Sequence, residues 1–320
     1  MGQILIIGIA AGAASALLVA GVAAGTVLAV PLFYLAPLPI MLAGLAFSHW
    51  AGFVAVAVAG AGLAVVFGST FLLAYLVGIG GPAWALAYAA LLARAEPAGR
   101  GGLVWFPVAG LVLLAAGLAT VSTVVGLLSV SADYESYRAA VGAAFEAFIQ
   151  VQKDGAPTGM APADAASMAS LVASVLPPMA GALSMVTQLI CLYLAGRAAM
   201  VSGRLARPWP DLAAVRLPQV TSLALALIIA ASVAPGMVGL SASVAGATLV
   251  TGFAIAGFAS LHFLTRGRSA RPLILTAAWV ATLALGWPIL AIALLGLVDT
   301  MFDLRTRMGT AGGPPAANDR

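Results

Sequence analysis

The chain has 320 residues, of which 63% are hydrophobic and only 8% are charged, and its formal net charge is +4. A soluble domain carries about 25% charged residues, so this composition excludes a soluble globular protein and indicates an integral membrane protein. The apolar runs are continuous and do not alternate with polar residues, which favours membrane-spanning helices over a β-barrel. The sequence therefore predicts an all-α, polytopic transmembrane helical bundle, with residues 1–308 as a single transmembrane domain.

The apolar stretches divide into eight spans and a longer final block. A helix needs roughly 20 apolar residues to cross a bilayer, and the stretches of this kind are residues 4–30, 32–48, 51–67, 70–93, 103–130, 170–200, 217–234, 237–264 and 272–304. The first stretch has no cationic segment before it, so we interpret it as a span and not as a cleaved signal peptide. Gly286-Trp287-Pro288 interrupts the last block, which predicts a hairpin of two short helices and about nine or ten membrane helices in total.

The first span carries a ridge of small residues at every fourth position. Its members are Gly8, Gly12, Ala16, Ala20 and Ala24. Small residues at this spacing let two helices approach closely in lipid. The ridge either packs inside the bundle, which is the commoner outcome in a chain rich in alanine and glycine, or docks a membrane protein partner.

Polar and proline residues interrupt two other spans. Pro31, Pro37 and Pro39 fall near the start of the second span, where they are typical of an irregular helix start or of an interrupted helix that lines a transport site. Thr187 and Gln188 are the most polar pair in the middle of span 170–200. They form either a polar interior or a hydrogen-bonded contact between helices.

Residues 131–168 form a long polar insert that contains an amphipathic helix. Its five apolar side chains are three or four residues apart and so lie on one side of a helix: Tyr134, Tyr137, Val141, Phe145 and Phe148. We expect this face to pack on the bundle or to lie on the membrane surface. A second helix is predicted from near Asp164, and the Pro177-Pro178 pair should kink its entry into the following span.

The arginines predict the orientation of the chain. Nine of them fall in the loops 94–102, 197–216 and 265–272, whereas the insert 131–168 has an excess of acidic residues. Because cytoplasmic loops carry an excess of Lys and Arg, we expect these three loops and both termini in the cytoplasm and the insert outside a bacterial inner (plasma) membrane. This bias accounts for the net charge, so the lipid bilayer is the expected partner and nucleic acid is not.

The last span ends with GLVDTMFDLRTR, residues 296–307. Asp303 and Arg307 are four residues apart, which predicts an ion pair on a helix that reaches the cytoplasmic surface. Asp299 is the acid expected to lie below the lipid headgroups. Residues 309–320 are short and polar, which predicts a disordered tail.

The sequence has no recognisable motif for catalysis. It contains no Gly-rich nucleotide loop, no cluster with metal-ligand spacing and no evident catalytic triad. Its one cysteine, Cys191, lies inside an apolar run and is better explained by packing than by chemistry. We therefore predict that the protein is not an enzyme and has no cofactor, no metal and no catalytic residue.

Several of these features together resemble the YybS-like membrane proteins of bacteria, a family with a domain of unknown function. They are the proline-rich second span, the long insert and the terminal motif of Gly296, Asp299, Asp303 and Arg305. That family is distantly similar to the substrate-binding components of energy-coupling-factor transporters and to the scaffold protein MreD. The first span is similar to the Ala-x-x-x-Ala face by which those components dock, with Ala16 and Ala20 at that spacing.

The resemblance implies a non-catalytic solute-binding or transport-associated component, with a small-molecule ligand that it leaves unspecified. One alternative is a membrane scaffold or assembly factor that docks other membrane proteins. A lipid-modifying enzyme with an unfamiliar set of polar residues is a third. A bound small molecule would favour the first function, and a stable membrane partner without a ligand would favour the second.

Overall fold

The computed structural model describes residues 1–26, 28–96, 102–153 and 162–309. These residues form a polytopic bundle of α-helices, which confirms the predicted fold class, and their strands are limited to one short two-stranded ribbon. Within them, seven helices are long and apolar enough to cross a membrane, and three further apolar helices are shorter.

The helices and strands follow one another along the chain. The first half contains α1 (Gly2–Ala20), α2 (Ala29–Tyr34), α3 (Pro37–Ala46), α4 (His49–Phe67), α5 (Ser69–Tyr75), a π-helical turn (Leu76–Gly80) and α6 (Gly81–Ala90), and then strands β1 (Ala93–Ala95) and β2 (Leu103–Trp105). The second half contains α7 (Val108–Val130), α8 (Tyr134–Lys153), α9 (Pro162–Val201), α10 (Val220–Ser232), α11 (Gly236–Leu264), α12 (Arg271–Leu285), α13 (Pro288–Phe302) and α14 (Leu304–Gly309). The loop between α9 and α10 contains a short 3-10 helix (Leu212–Ala214). The rest of the predicted tail, residues 310–320, lies outside the described residues.

Two packed groups of helices make up the bundle. In the first group, α3 packs on α1, α4 and α6; in the second, α11 packs on α7, α9, α10 and α13. The long helix α9 joins the groups because it packs on both α3 and α11. The core between them is built largely from alanine and leucine, and Phe253 of α11 is its largest fully buried side chain.

Helices α11 and α13 approach each other through glycine. A Cβ atom on Gly257 would overlap the carbonyl oxygen of Ile292, and one on Gly296 would overlap the carbonyl oxygen of Phe253. Only glycine permits this separation, since in lipid such close backbone packing replaces the hydrophobic driving force that holds soluble helices together.

The prediction of a continuous span over residues 103–130 is wrong at its beginning. Leu103–Trp105 forms β2, which pairs antiparallel with Ala93–Ala95, and α7 begins only at Val108. Pro107 disfavours a helical conformation in the residue before it, so the helix starts after the proline. The loop between the strands, residues 97–101, is outside the described part of the chain.

Helix α9 is one helix of 40 residues that continues through Pro177 and Pro178. We expected a second helix leading to a kink at this pair. Pro177 has no N–H group with which to satisfy the carbonyl of Ala173. The hydroxyl of Tyr137 in α8 donates to that carbonyl instead, at 3.1 Å. The apolar face of the insert thus supplies the hydrogen bond that the proline removes.

The structure shows the predicted terminal hairpin. Gly286 separates helices α12 and α13. Its φ is 74°, a left-handed conformation that glycine adopts without strain. Each helix has 15 residues, or about 22 Å at 1.5 Å per residue, which is less than a bilayer core of roughly 30 Å. The expectation that one helix continues to Arg307 is wrong, because α13 ends at Phe302 and Asp303 adopts a left-handed conformation.

The polar connections lie at two opposite ends of the bundle. At one end, the loop between α9 and α10 contacts the end of α6 through Arg207 and Ala90, and the loop after α11 through Asp211 and Arg266. At the other end, α8 packs against the start of α11 around Leu240. The arginine-rich loops therefore share one end, which we call the arginine end.

Candidate functional site

A cavity of about 390 Å³ lies between the two helix groups. Its walls come from α1, α2, α3, α4, α5 with the π-helical turn, and α9. Val19, Phe33 and Phe71 lie near the helix ends that face away from the arginine end, so the cavity occupies that half of the bundle. Its walls are mainly apolar and aromatic, and its polar side chains come mostly from α9.

Glycines allow the π-helical turn at the wall of this cavity. A Cβ atom on Gly80 would lie 2.7 Å from the Tyr75 ring, and one on Gly81 would overlap the carbonyl oxygen of Leu76. A π-helical turn displaces carbonyl groups from the regular helical pattern, and such turns are frequent at functional sites. Here the Val77 carbonyl accepts a hydrogen bond from the Ser122 hydroxyl at 2.6 Å.

Gln188 is the buried polar residue of the cavity wall, with 3% of its surface exposed. Its Nε2 donates to the Ile79 carbonyl in the π-helical turn at 3.4 Å, whereas its Oε1 has no hydrogen-bond partner among the described residues. A buried acceptor without a partner costs about 1–3 kcal/mol. A molecule that donates a hydrogen bond to this oxygen would therefore bind favourably.

Thr187 and Ser184 line the cavity beside Gln188. Tyr75 also lines it, but its hydroxyl is 2.8 Å from the hydroxyl of Ser15, which donates to the Ala36 carbonyl at 2.7 Å. The Tyr75 hydroxyl is thus already held by the protein. Among the described residues, no Asp, Glu, Lys, Arg or His lines the cavity, so its chemistry suits an uncharged molecule.

The structure brings together several residues that were separate candidates in the sequence. Thr187, Gln188 and Pro37 all line this cavity. Ser184 and the π-helical turn were not anticipated. The group Gly78, Gly80 and Gly81 within an apolar span was the signal that could have indicated an irregular helix.

The terminal motif forms a second polar cluster, at the arginine end. Asp299 and Arg305 are both buried, with Nε of the arginine 2.8 Å from Oδ2 of the aspartate. The Ser260 hydroxyl donates to the same Oδ2 at 2.8 Å. The guanidinium also donates to the carbonyl oxygens of Ala213, at 2.5 Å, and Val215, at 2.7 Å. The pair thus binds the loop before α10 to α11 and α13.

Asp303 extends this cluster toward the solvent. Its carboxylate pairs with Arg216, a partner that the sequence did not indicate, and it accepts hydrogen bonds from the backbone and hydroxyl of Thr306. The hydrogen bond from Arg216, followed by those from Thr306, lowers the pKa of Asp303 to about 2. Gly296 contributes the close helix contact below. Gly296, Asp299, Asp303 and Arg305 therefore each contact another part of the protein. We call these four residues the clasp, because they join the loop before α10 to α11 and α13.

The ridge on α1 faces the interior of the chain where the structure describes it. A Cβ atom on Gly8 would lie 2.7 Å from the Val54 side chain, and one on Gly12 would lie 2.6 Å from the Ala55 carbonyl oxygen. Ala16 and Ala20 pack against the main core. The side chain of Ala24 lies outside the described part. This placement favours intramolecular packing on α4.

No group of three or more His, Cys, Asp or Glu residues in the described parts of the chain is placed to hold a metal ion.

The fold and the cavity define a polytopic helical membrane protein with a largely apolar internal site. The family described as "Predicted membrane protein (DUF2232)" matches residues 5–300, and the chain belongs to this family. No curated protein and no solved structure matches the chain.

Proposed function

We propose that the protein is a non-catalytic solute-binding or transport-associated component of the bacterial inner membrane, and that its solute binds in the cavity between α5 and α9. The observation that carries this proposal is the buried Gln188 in the cavity wall, whose Oε1 has no hydrogen-bond partner among the described residues. The resemblance to YybS-like proteins, and through them to substrate-binding components of energy-coupling-factor transporters, supports the same function.

The cavity limits the chemistry of the solute. A volume of about 390 Å³ falls in the range of roughly 300–1,000 Å³ typical of small-molecule sites. Phe33, Tyr34 and Phe71 provide apolar and aromatic contact area, while Gln188 and Thr187 provide the polar contacts. The solute that fits is a neutral molecule with an apolar or aromatic body and at least one N–H or O–H donor.

The scaffold alternative has less support. It relied on the ridge of α1 as a docking face, and Gly8 and Gly12 pack on α4 of the same chain. A partner that docks elsewhere on the bundle would be compatible with solute binding, because substrate-binding components of transporters also work with a coupling partner.

Mass spectrometry of small molecules extracted from the purified protein tests the proposal. The wild-type protein, purified in mild detergent, should carry a neutral small molecule. Gln188→Leu should lose it, because the variant removes the acceptor. Its melting temperature should stay close to that of the wild type, since the loss of the hydrogen bond to the Ile79 carbonyl is offset by the removal of a buried oxygen without a partner.

Gln219→Leu is the matched control, because Gln219 is exposed and lies outside the cavity. It should retain the molecule. Equal amounts of the molecule in Gln188→Leu and wild type would contradict this site, and a wild-type protein that carries only lipid and a membrane partner would favour the scaffold function.

A further inference from the structure

A second, larger cavity of about 580 Å³ opens between α7, α9, α11 and α12. Its lining is almost wholly apolar along the helices and includes Val186, Ile255 and Leu283. At one end it is bounded by Arg207, Trp209 and Pro210 of the loop before α10. We call this cavity the lateral groove, because α12, whose residues are all at least partly exposed, forms its outer wall.

The lateral groove exists because α12 stands away from the bundle. The ring of Trp279 stacks on Phe258 of α11 with centroids 4.0 Å apart. No residue of α12 is fully buried. This stack fixes α12 against α11, and an apolar space remains between α12 and α9.

The groove has the depth of one membrane leaflet. Its lining on α9 extends from Val186 to Gly196, ten residues or about 15 Å at 1.5 Å per residue. That length is half of a hydrocarbon core of roughly 30 Å. An acyl chain that enters from the arginine end would therefore reach the middle of the membrane.

The mouth of the groove carries cations without acidic partners. Arg216, Arg266 and Arg305 are all paired with aspartates. In contrast, the described residues provide no acidic partner for Arg207, Arg197 or Arg204. The Nη1 of Arg207 donates to the Ala90 carbonyl at 3.0 Å, and its Nε has no hydrogen-bond partner in the described structure.

Each of the other two cations lies against an aromatic ring. The guanidinium of Arg197 lies 5.3 Å from the ring centroid of Trp209, which is itself part of the groove wall. That of Arg204 lies 4.6 Å from the ring of Phe47. Tryptophan and arginine together at one level are typical of the headgroup region of a membrane.

We propose that the lateral groove binds one anionic phospholipid, with an acyl chain between α9 and α12 and its phosphate at Arg207 and Arg197. Basic pockets between membrane helices bind anionic headgroups in this way, and guanidinium groups match phosphate geometry. This site lies toward the opposite half of the bundle from the Gln188 cavity and is independent of the solute proposed for that cavity.

Native mass spectrometry and melting of delipidated protein test the proposal, with phosphatidylglycerol and phosphatidylcholine of identical acyl chains as the two probes. The wild-type protein should bind phosphatidylglycerol about tenfold more tightly than phosphatidylcholine and should melt at a higher temperature in its presence. Equal binding of the two lipids would show a chain-filled groove without headgroup recognition and would overturn the anionic part of the proposal.

Variants at the two ends of the groove locate the bound lipid. Arg207→Gln should abolish the preference for phosphatidylglycerol, and Val186→Trp should weaken binding of both lipids because it fills the path of the acyl chain. Arg268→Gln is the matched control, since Arg268 is an exposed arginine at the same end and does not line the groove.

Arg197→Gln separates a binding effect from a folding effect. The side chain of Arg207 also holds α6, so its replacement can lower the yield of folded protein, whereas Arg197 is exposed. Arg197→Gln should melt like the wild type without lipid and should bind phosphatidylglycerol less tightly. An unchanged preference in both Arg197→Gln and Arg207→Gln, or a lost preference in Arg268→Gln, would overturn the site.

Discussion

A single buried carboxylate, that of Asp299, organises the arginine end. It accepts hydrogen bonds from the Arg305 side chain and backbone and from the Ser260 hydroxyl. The attraction within a buried ion pair offsets the free energy of desolvation only when the remaining hydrogen-bonding groups of the pair also have partners. Arg305 meets this condition, because Nη1 donates to Ala213 and Nη2 donates to Val215 and Ser260, so each of its nitrogens has a partner.

Removal of one member of this pair should destabilise the protein strongly. Asp299→Asn leaves the Arg305 charge buried without a counter-ion, and we expect a loss of about 3–5 kcal/mol in the free energy of unfolding. The loss is measured by thermal or denaturant unfolding in detergent.

The double variant Asp299→Leu with Arg305→Met tests the reason for this loss. It should recover much of the stability, because it removes both charges. The control Asp211→Asn breaks the exposed pair with Arg266 and should change stability far less. A double variant as unstable as Asp299→Asn would show that hydrogen bonds to the loop, and not the unpaired charge, dominate.

Asp303 should make stability depend on pH in the acid range. Its pKa is lowered to about 2 by Arg216 and Thr306, against about 3.9 for an unfolded chain. The stabilisation is fully present above about pH 4 and is lost as the pH falls toward 2, because the carboxylate must then take up a proton. Wild-type melting temperature should fall over that window, and Asp303→Asn should show a shallower fall.

Glu135→Gln is the control for this titration, since Glu135 is an exposed carboxylate at the other end of the bundle. Its melting curve should follow that of the wild type through the same pH range. If Asp303→Asn retains the full acid sensitivity of the wild type, other carboxylates control the acid transition.

The sequence predicts the members of the clasp better than their partners. Gly296, Asp299, Asp303 and Arg305 stand out because acids and arginine follow an apolar run. Their partners in the loop before α10, however, lie some 90 positions away along the chain, as the contact between Arg305 and Val215 shows. Two of those contacts use backbone carbonyls, which carry no sequence signal.

The ridge of α1 determines how closely α1 and α4 pack. Gly12→Leu with Ala16→Leu should overpack this contact at a cost of roughly 1–3 kcal/mol per site, because Gly12 has a backbone carbonyl where a side chain would go. The melting temperature of the purified protein measures this effect.

Ala10→Leu with Ala13→Leu is the matched control on the same helix, since both alanines are exposed. These changes should leave melting nearly unchanged. If the ridge variant melts normally but loses a co-purifying protein that the control retains, the ridge is a docking face, and the scaffold function regains its support.

The insert helix α8 is anchored by one hydroxyl at the proline pair. Tyr137→Phe removes the donor to the Ala173 carbonyl, which Pro177 cannot replace. We expect a loss of about 1–3 kcal/mol from the buried carbonyl left without a partner. Limited proteolysis of the insert 131–168 should then proceed faster than in the wild type.

Tyr134→Phe is the matched control, because Tyr134 packs against the same apolar cluster as Tyr137. The described structure shows no hydrogen bond from the Tyr134 hydroxyl. It should digest at the wild-type rate. Equal rates for Tyr137→Phe and wild type would mean that apolar packing alone holds α8.

The predicted apolar face is confirmed for Tyr137, which is buried, whereas Phe148 is 59% exposed.

The hydrophobicity of the sequence predicts where the membrane helices lie, but it does not predict where a helix is interrupted or gives way to a strand. The spans are apolar on every side, so they lack the amphipathic periodicity that marks helix boundaries in soluble proteins. The π-helical turn accepts a hydrogen bond from Ser122, which lies 45 positions away along the chain from Val77. The strand Leu103–Trp105 is as apolar as a span, and only pairing with Ala93–Ala95 distinguishes it.

At the scale of the whole molecule, the loops that the charge rule groups together do meet in space. Arg207 reaches the end of α6, Arg266 pairs with Asp211, and Arg305 reaches Ala213. The two cavities lie toward opposite ends, with the Gln188 cavity toward α8 and the mouth of the lateral groove at the arginine end.

The distribution of arginine between the two ends of the bundle predicts which end faces the cytoplasm. We expect the arginine end inside, because arginine-rich loops are retained in the cytoplasm during insertion.

Single cysteines can be introduced in a Cys191→Ser background, in which the serine can keep the contact of the buried thiol with the Tyr34 carbonyl. Glu135→Cys should react with an impermeant maleimide in intact cells, and Arg268→Cys should react only after permeabilisation. Both positions are exposed, so a difference in labelling reports sidedness and not burial. Labelling of Arg268→Cys in intact cells would reverse the orientation and would place the anionic lipid of the lateral groove in the outer leaflet.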